Sequence, residues 1–311
     1  MIIRPGFSNA RKTMALFTKH PSNPVMGPGY TVTAIFDSCI TRHGDHFKMW
    51  CSWRDMNAIA VSDSEDGVSW SAPRIVLERN PKVAWEQDAV NRPHVTCIDG
   101  RWFMWYTGQN FEAQTSAIGL AVSSDGHSWE RVSLDPVFQA REAWEKRSVM
   151  CPFVLHEHGR FRMWYSAGET YEPDAVGLAE SADGVTWTRH PNNPVLQPAG
   201  GWEADRVAAA CIVPYEGAYL AFYIGFSNGF EDAFIGVARS EDGAGGWERH
   251  PENPLLGRGS AGSWDDCNVY KPFVLRVGDE WFLWYNASRF SDRREQVGLA
   301  TAGGRLWPEA H

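Results

Sequence analysis

A unit of about sixty residues recurs along the chain and constrains its fold more than any other feature. A short segment of the type A-V-G-L-A-E-S appears five times, at residues 58–64, 117–124, 175–181, 234–240 and 296–302. Four copies are followed by a turn of the form S-x-D-G, with tryptophan three or four residues after the glycine. A repeat of this length, built from short segments and glycine turns, indicates stacked supersecondary units.

Each unit has the pattern of four short β-strands. In the second unit, H-V-T-C-I (94–98) is rich in strand formers, and the dipeptide D-G that follows is a strong hairpin signal. The aromatic run R-W-F-M-W-Y (101–106) and the repeated small-residue segment supply the second and third strands. No segment keeps a helical period, so we expect a chain that is nearly free of helix. Five such units predict an all-β, five-bladed β-propeller with four-stranded antiparallel blades.

The ends of the chain are predicted to close this ring. The inner strands are expected to begin near Tyr30, Trp85, Trp144, Trp202 and Trp264. The last unit lacks its S-x-D-G turn, whereas F-T-K-H-P-S-N-P-V-M (17–26) matches the outer-strand segments at 187–196 and 247–256. We therefore expect residues 17–28 to complete the last blade, which removes exposed sheet edges. The whole chain, residues 1–311, then forms a single domain.

Charge and cysteine usage exclude several classes of function. The net charge of −9 argues against nucleic acid and anionic membranes as partners. No apolar run approaches the roughly 18 residues of a membrane span, and the first residues lack an apolar secretory core. The six cysteines lack C-x-x-C spacing, which predicts buried reduced thiols and a cytoplasmic location. No feature predicts the oligomeric state.

Positions that depart from the repeat are the candidates for a functional site. Asp37 occupies a slot that Arg92, Cys151, Ala209 and Lys271 fill in the other units. An aspartate within an apolar strand is costly unless it is paired or hydrogen-bonded. We expect Arg92 and Lys271 to pair with Asp37 across a central funnel.

Further polar residues are expected at the same funnel, because the inner strands start and the second strands end at one rim. They are Asp88, His94, Arg147, Asp205, Arg206, Asn268 and Tyr270 from the inner strands, and Trp53, Arg54, Gln109, Glu169, Asn228 and Arg289 from the loops. A repeated acidic position, Glu86, Glu145, Glu203 and Asp265, is predicted to make a structural contact instead. These charges have two readings: buried ion pairs that fix blade register, or a polar sugar pocket with acid/base carboxylates.

Three motifs of the repeat resemble those of the five-bladed propeller glycosidases, which include glycoside hydrolase families 43, 32, 62 and 130. They are the S-x-D-G-x-x-W turns, the M-W-Y of the second strand and the G-L-A-x-S of the third strand. The resemblance covers residues 17–307. In family 43 the inverting base is an aspartate of the first inner strand, the place that Asp37 holds here. The second family aspartate follows a proline in blade two, where this chain has His94 after Pro93. Some relatives hold calcium in the central channel, although the sequence requires no cofactor.

The resemblance implies an inverting glycosidase with Asp37 as the base and Glu169 or Asp205 as the acid, Glu203 being a further candidate. Asp88 would position this pair, and Arg92, Arg147, Arg206 and Lys271 would bind hydroxyls, a sugar carboxylate or phosphate. Three alternatives stay open. They are a phosphate-dependent phosphorylase, a non-catalytic propeller that binds sugar or protein, and an enzyme of polysaccharide or secondary-metabolite assembly that uses the same scaffold.

Overall fold

The computed structural model describes residues 16–27, 29–169, 172–229 and 231–307 and is all-β in these ranges. Its twenty strands are joined by tight turns, and the described residues contain no α-helix. Three single 3-10 turns occur, at Arg54–Met56, Ala84–Glu86 and Ala143–Glu145. No helix in the described part is long or apolar enough to cross a membrane. The predicted fold class is thus confirmed at the level of all-β architecture.

Consecutive strands pair antiparallel into four-stranded sheets, which we number I to V along the chain. Sheet I contains β2 (Ile35–His43), β3 (His46–Trp53), β4 (Ala58–Ser64) and β5 (Arg74–Glu78). Sheet II contains β6 (Ala89–Ile98), β7 (Arg101–Asn110), β8 (Thr115–Ser123) and β9 (Glu130–Arg131). Sheet III contains β10 (Ser148–Glu157), β11 (Arg160–Glu169), β12 (Glu172–Ser181) and β13 (Thr188–Arg189). A single parallel pair, Ser116 with Ser148, joins sheets II and III.

The last two sheets continue the pattern, but sheet V takes its outer strand from the start of the chain. Sheet IV contains β14 (Arg206–Tyr215), β15 (Ala218–Ser227), β16 (Asp232–Ser240) and β17 (Glu248–Arg249). Sheet V contains β18 (Asn268–Val277), β19 (Glu280–Ser288), β20 (Glu295–Gly303) and β1 (Thr18–Lys19). Thr18 pairs with Thr301 in antiparallel register, and Met26 forms a further bridge to Val297. The expected pairing of the N-terminal segment with the last sheet is observed, and Pro28 lies outside the described residues.

Neighbouring sheets are fastened by the tryptophans of the second strands. Trp105 and Trp164 are fully buried, and their indole N–H groups donate to the carbonyls of Gly184 and Gly243 in the turn of the following sheet, at 2.9 and 2.8 Å. Trp284 of sheet V donates in the same way to Gly67 of sheet I, at 2.9 Å. These bonds satisfy the one polar group of each buried indole while the ring fills the space between sheets.

The repeated acidic position makes a repeated buried contact, as predicted. The Tyr106 hydroxyl donates to the Glu86 carboxylate at 2.9 Å, and Arg131 of the outer strand pairs with Glu86 at 2.7 Å. Corresponding ion pairs join Arg189 to Glu145, Arg249 to Glu203 and Lys19 to Asp265. Glu203, a candidate acid, is one of these carboxylates and makes the repeated contact within its sheet.

The inner strands begin four or five residues later than predicted. They start at Ile35, Ala89, Ser148, Arg206 and Asn268. The cause is the opening tryptophan, which lies across the sheet before the strand begins. The ring of Trp85, for example, covers Gly108 and Gly119 so closely that neither position has room for a side chain. All six cysteines are unpaired, as the sequence predicts.

Candidate active site

One backbone feature recurs in all five inner strands and organises the centre of the molecule. Each inner strand carries a β-bulge, marked by a register shift against its neighbour, and one residue of each bulge has a left-handed backbone. These bulge residues are Asp37, Arg92, Cys151, Ala209 and Lys271, with φ between 50° and 54°. None is glycine, so each holds a conformation that is disfavoured for its type. The slot singled out from the sequence is therefore a distinct structural position.

The bulge residues are held by the adjacent sheet. The N–H of Arg92 donates to the Ser52 hydroxyl at 2.8 Å, and that of Cys151 donates to Thr107 at 3.1 Å. The N–H of Ala209 donates to Ser166 at 2.8 Å, and that of Asp37 donates to the Asn286 amide oxygen at 3.1 Å. All four acceptors lie at the same position of a second strand. In sheet IV that position is Ile224, whose side chain has no acceptor.

Asp37 is a buried carboxylate with polar partners. Its side chain is 5% exposed, and the Ser52 hydroxyl donates to its Oδ2 at 3.2 Å. The predicted pairing with Arg92 is present, with 3.9 Å between Arg92 Nε and Asp37 Oδ2. Ser52 thus contacts both members of this pair, by accepting from the Arg92 backbone and donating to the Asp37 side chain. This arrangement holds the Asp37 carboxylate at a fixed position.

A second carboxylate belongs to the same cluster and was missed from the sequence. Glu295 begins β20, and its side chain is 18% exposed and pairs with Arg54 at 2.8 Å. Burial raises the pKa of Glu295; Arg54 and the Tyr270 hydroxyl lower it, and the nearby Asp37 raises it further. Burial and Glu295 in turn raise the pKa of the Tyr270 hydroxyl. Both carboxylates therefore lie beside an arginine, and burial shifts the pKa of Glu295 in the direction of its protonated form.

A cavity of about 480 Å³ adjoins this cluster between sheets I and II. Its lining includes Phe36, Ser52, Trp53, Arg54, Asn91, Arg92, Gln109 and Phe111. The guanidinium of Arg54 lies over the Phe36 ring at 4.5 Å. Aromatic walls with a few polar groups are typical of pockets for small polar ligands. The cavity thereby joins the predicted loop residues Trp53, Arg54 and Gln109 to the Asp37 cluster.

Most of the other predicted site residues have contacts outside the Asp37 cluster. Asp88 and Asp205 accept the loop N–H groups of Phe111 and Gly229, each at 2.7 Å. Glu169 is 53% exposed and lies 3.7 Å from Lys146. Arg206 forms an ion pair with Asp174, and Arg289 forms one with Asp292. The Arg147 side chain is exposed. The Asn268 amide faces two backbone carbonyls, and the Asn228 carbonyl accepts a backbone N–H within its own loop. Asp205 and Arg206 line a separate cleft between sheets III and IV. Fewer of the predicted residues therefore contact the Asp37 cluster than the sequence led us to expect.

The axis below Asp37 does not fit a calcium ion. The His94 Nε2–H donates to the Val154 carbonyl at 2.8 Å, and burial lowers the pKa of His94 to about 3. Lys271 acts electrostatically on His94 and on the thiols of Cys39, Cys151 and Cys211. Calcium needs six or more oxygen ligands, whereas the described residues here supply thiols, an ammonium group and one carboxylate that is already paired. The described part of the chain likewise contains no group of three His, Cys, Asp or Glu side chains placed to hold a metal.

The sequence did contain a signal for Glu295. The residue before the repeated third-strand segment is Asn57, Ser116, Asp174, Ala233 and Glu295 in the five units, so this position departs from the repeat as strongly as that of Asp37. Because Glu295 lies on a third strand, differences among the inner strands do not reveal it. Its proximity to Asp37 is a tertiary contact between the first and last sheets, which no local pattern encodes.

Comparison with known proteins places this geometry in a family context. The family model described as "Glycosyl hydrolases family 32 N-terminal domain" matches residues 47–205. The Mycobacterium tuberculosis (strain ATCC 25618 / H37Rv) protein named "Uncharacterized protein Rv1502" is 27% identical over 249 residues, which cover 71% of this chain and 78% of the relative.

Solved structures show the same fold at low sequence identity. A thermostable family-43 glycoside hydrolase has a TM-score of 0.71 at 19% identity and covers 93% of this chain and 97% of its own. The β-1,2-mannobiose phosphorylase of Listeria innocua, solved with β-1,2-mannobiose, has a TM-score of 0.70 at 14% identity and covers 92% and 96%. Because the family model spans just over half of the sequence, this chain belongs to the family defined by the glycosyl hydrolases family 32 N-terminal domain.

Proposed function

We propose that the protein cleaves a glycosidic bond at the Asp37 cluster, with the sugar bound in the adjoining cavity. The observation that carries this proposal is the pair of largely buried carboxylates, Asp37 and Glu295, beside a cavity walled by Phe36 and Trp53. Glycosidic cleavage needs one protonated acid and one ionised carboxylate. The family match and the glycoside hydrolases of similar fold support the same reaction class.

Asp37 is the proposed base. Arg92 and the Ser52 hydroxyl hold its carboxylate at a fixed position, as a base that activates water requires. Glu295 is the proposed acid, because burial raises its pKa, which is the direction that an acid requires. Arg54 and Tyr270 orient Glu295 rather than contacting the bond that breaks.

Substitution of the two carboxylates tests this assignment. Asp37→Asn should lower turnover by at least ~100-fold, the usual scale for a general base, with an unchanged melting temperature. Glu295→Gln should lose as much on alkyl glycosides but much less on aryl glycosides, because a good leaving group needs little protonation. The measurement is kcat for both substrate types across a panel of glycosides.

The matched control is Asp63→Asn, the same chemical change at a carboxylate that pairs with Lys48 and Arg74 away from the cavity. It should leave turnover unchanged. Full activity of Asp37→Asn would remove Asp37 from the mechanism. A selective loss in Glu169→Gln or Asp205→Asn, but not in Glu295→Gln, would move the role of acid to that residue.

We propose that cleavage inverts the anomeric configuration, with water as the nucleophile. Nuclear magnetic resonance, recorded before the product mutarotates, measures the anomeric configuration of the released sugar. A product that keeps the configuration of the substrate would make Asp37 the nucleophile instead of the base.

Phosphorolysis is the second candidate. Lys271 lies among the axial thiols, and no carboxylate in the described ranges forms an ion pair with it, so its positive charge is available to an anion. The phosphorylase with a similar fold supports this alternative. Turnover that depends on inorganic phosphate and yields a sugar phosphate would favour it over hydrolysis.

We further propose that sheets I to V are the five blades of one closed propeller and that the chain forms a single domain. Three contacts between the first and last sheets support closure: Trp284 with Gly67, Asp37 with Asn286, and Arg54 with Glu295. The unpaired cysteines support a reducing compartment such as the cytoplasm.

A further inference from the structure

A chain of three side chains in the cavity wall has a fixed hydrogen-bond direction. Arg92 Nη1–H donates to Asn91 Oδ1 at 3.3 Å, and Asn91 Nδ2–H donates to Gln109 Oε1 at 2.6 Å. Asn91 and Gln109 are 8% and 3% exposed, so water does not replace these contacts. Both amide oxygens of the chain are therefore occupied within the wall.

The direction of this chain follows from the chemistry of arginine. A guanidinium has only donors, so Asn91 must turn its oxygen toward Arg92 and its nitrogen toward Gln109. Gln109 must then turn its oxygen toward Asn91, which leaves Nε2 at the far end. Nε2 is buried and has no hydrogen-bond partner among the described residues. A buried amide donor without a partner is energetically costly, and a ligand acceptor would remove that cost.

The rest of the lining has the same polarity. Arg54 and Arg92 both line the cavity, and among the described residues no aspartate or glutamate lines it. Their carboxylate partners, Glu295 and Asp37, are not part of the lining, so these two arginines offer a ligand only hydrogen-bond donors. Arg92 contacts Asp37 through Nε and Asn91 through Nη1. A planar carboxylate matches the fork of a guanidinium and accepts more than one N–H at a time.

We propose that Arg92 and the Gln109 amide form a subsite for the carboxylate of an acidic sugar, so that the preferred ligand is a hexuronic acid residue rather than a neutral sugar. This inference rests on the proposed function only in placing a sugar in this cavity. Phe36 and Phe111 supply the apolar walls against which the sugar ring would lie. Asn91 is a positioning residue, since it acts by orienting Gln109.

Equilibrium binding of free monosaccharides tests the subsite without any bond cleavage. The wild-type protein should bind glucuronate or galacturonate at least ~10-fold more tightly than glucose or galactose, the scale of one hydrogen bond to a charged group. The measurement is isothermal titration calorimetry at fixed ionic strength, with inorganic phosphate as a third arm. Uronate affinity within threefold of the neutral sugars would overturn the proposal. Phosphate that displaces uronate and binds more tightly would also overturn it, in favour of a phosphate site.

Two variants each remove the hydrogen-bond donor that Gln109 offers to the ligand. Gln109→Glu replaces the free donor by a carboxylate oxygen. Asn91→Asp leaves Gln109 in place but can no longer donate to it, so Gln109 must turn its nitrogen back toward residue 91 and its oxygen toward the ligand. Each variant should weaken uronate binding by at least ~10-fold and change the affinity for neutral sugars by less than threefold.

Gln197→Glu is the matched control, because it adds the same negative charge in the cleft between sheets III and IV. It should bind uronate like the wild type. Unchanged uronate affinity in both Gln109→Glu and Asn91→Asp would overturn the role of the chain even if one variant were poorly folded, because the other tests the same direction. Uronate binding without any turnover would instead contradict the proposed function and leave the subsite intact.

Discussion

His94 lies two residues after the bulge residue Arg92 of β6, and its buried surroundings change its pKa. Its ring is 4.4 Å from the ring of Phe153, and its Nε2–H is committed to the Val154 carbonyl. Burial lowers its pKa from 6.5 to about 3, so the folded protein keeps this histidine neutral. The unfolded chain binds a proton at an ordinary histidine pKa, and the two states therefore differ in protonation between these limits.

We expect His94 to make stability fall with acidity. Its contribution is fully present above about pH 6.5 and is lost as the pH falls toward about 3, by up to ~1.4 kcal/mol per pH unit. The difference in unfolding free energy between wild type and His94→Gln should therefore shrink as the pH falls from 7 to 4. Urea unfolding at four pH values measures it. The exposed His46→Gln is the control, and a pH-independent His94→Gln difference would show that His94 titrates normally in the fold.

At the scale of the strand, the bulge of one sheet and a hydrogen-bond acceptor of its neighbour form a motif that occurs four times. A side-chain oxygen of a second strand accepts the N–H of the left-handed residue in the next sheet, as Ser166 does for Ala209. The bulge re-aims the side chain of its central residue while the acceptor satisfies the backbone group that the bulge frees. The inner strands thereby share one geometry, whereas their bulge side chains range from aspartate to lysine.

Removal of one acceptor should destabilise the protein measurably. Ser166→Ala leaves the N–H of Ala209 buried without a partner, which we expect to cost about 1–3 kcal/mol of unfolding free energy. Ser38→Ala is the matched control, because Ser38 is 2% exposed and its hydroxyl has no partner in the described part of the chain. Chemical denaturation compares the two. Equal losses for both variants would assign the effect to packing rather than to the hydrogen bond.

At the scale of the whole molecule, the two ends of the chain meet in sheet V. Lys19 of β1 supplies to Asp265 the positive charge that outer-strand arginines supply elsewhere, and Asn23 bonds the Leu299 backbone as Asn193 bonds Leu178. The N-terminal segment is therefore the outer strand of the last unit in both pairing and side-chain chemistry. Stability of the last sheet depends on residues almost three hundred positions away.

This dependence makes Lys19 more important than an ordinary surface lysine. Its ammonium lies 2.5 Å from Asp265, whose side chain is only 4% exposed, so Lys19→Met leaves a buried carboxylate unpaired and should cost roughly 3 kcal/mol. Lys48→Met is the control: its partner Asp63 is 43% exposed and also pairs with Arg74, and about 0–1 kcal/mol is expected. Thermal and denaturant unfolding report both values. Similar small losses for the two variants would mean that β1 contributes little to closure.

The sequence by itself determined the elements of this protein. Strand patterns and hairpin turns are local, so the all-β sheets could be predicted from residues close in the chain. Comparison between repeat units added the structural role of Glu86 and its equivalents and the pairing of residues 17–26 with the last sheet, whose own outer strand is missing. The special slot of Asp37 was also visible, because the repeat showed which positions deviate.

Only the tertiary structure decided which further carboxylate joins the predicted pair of Asp37 and Arg92. Glu295 joins them from the last sheet, whereas Glu169 and Asp205 lie on other sheets with partners of their own. The direction of the Arg92–Asn91–Gln109 chain likewise depends on contacts between two strands. The physical reason is that charge, burial and hydrogen-bond direction are properties of a three-dimensional environment, which side chains from distant parts of the chain create together.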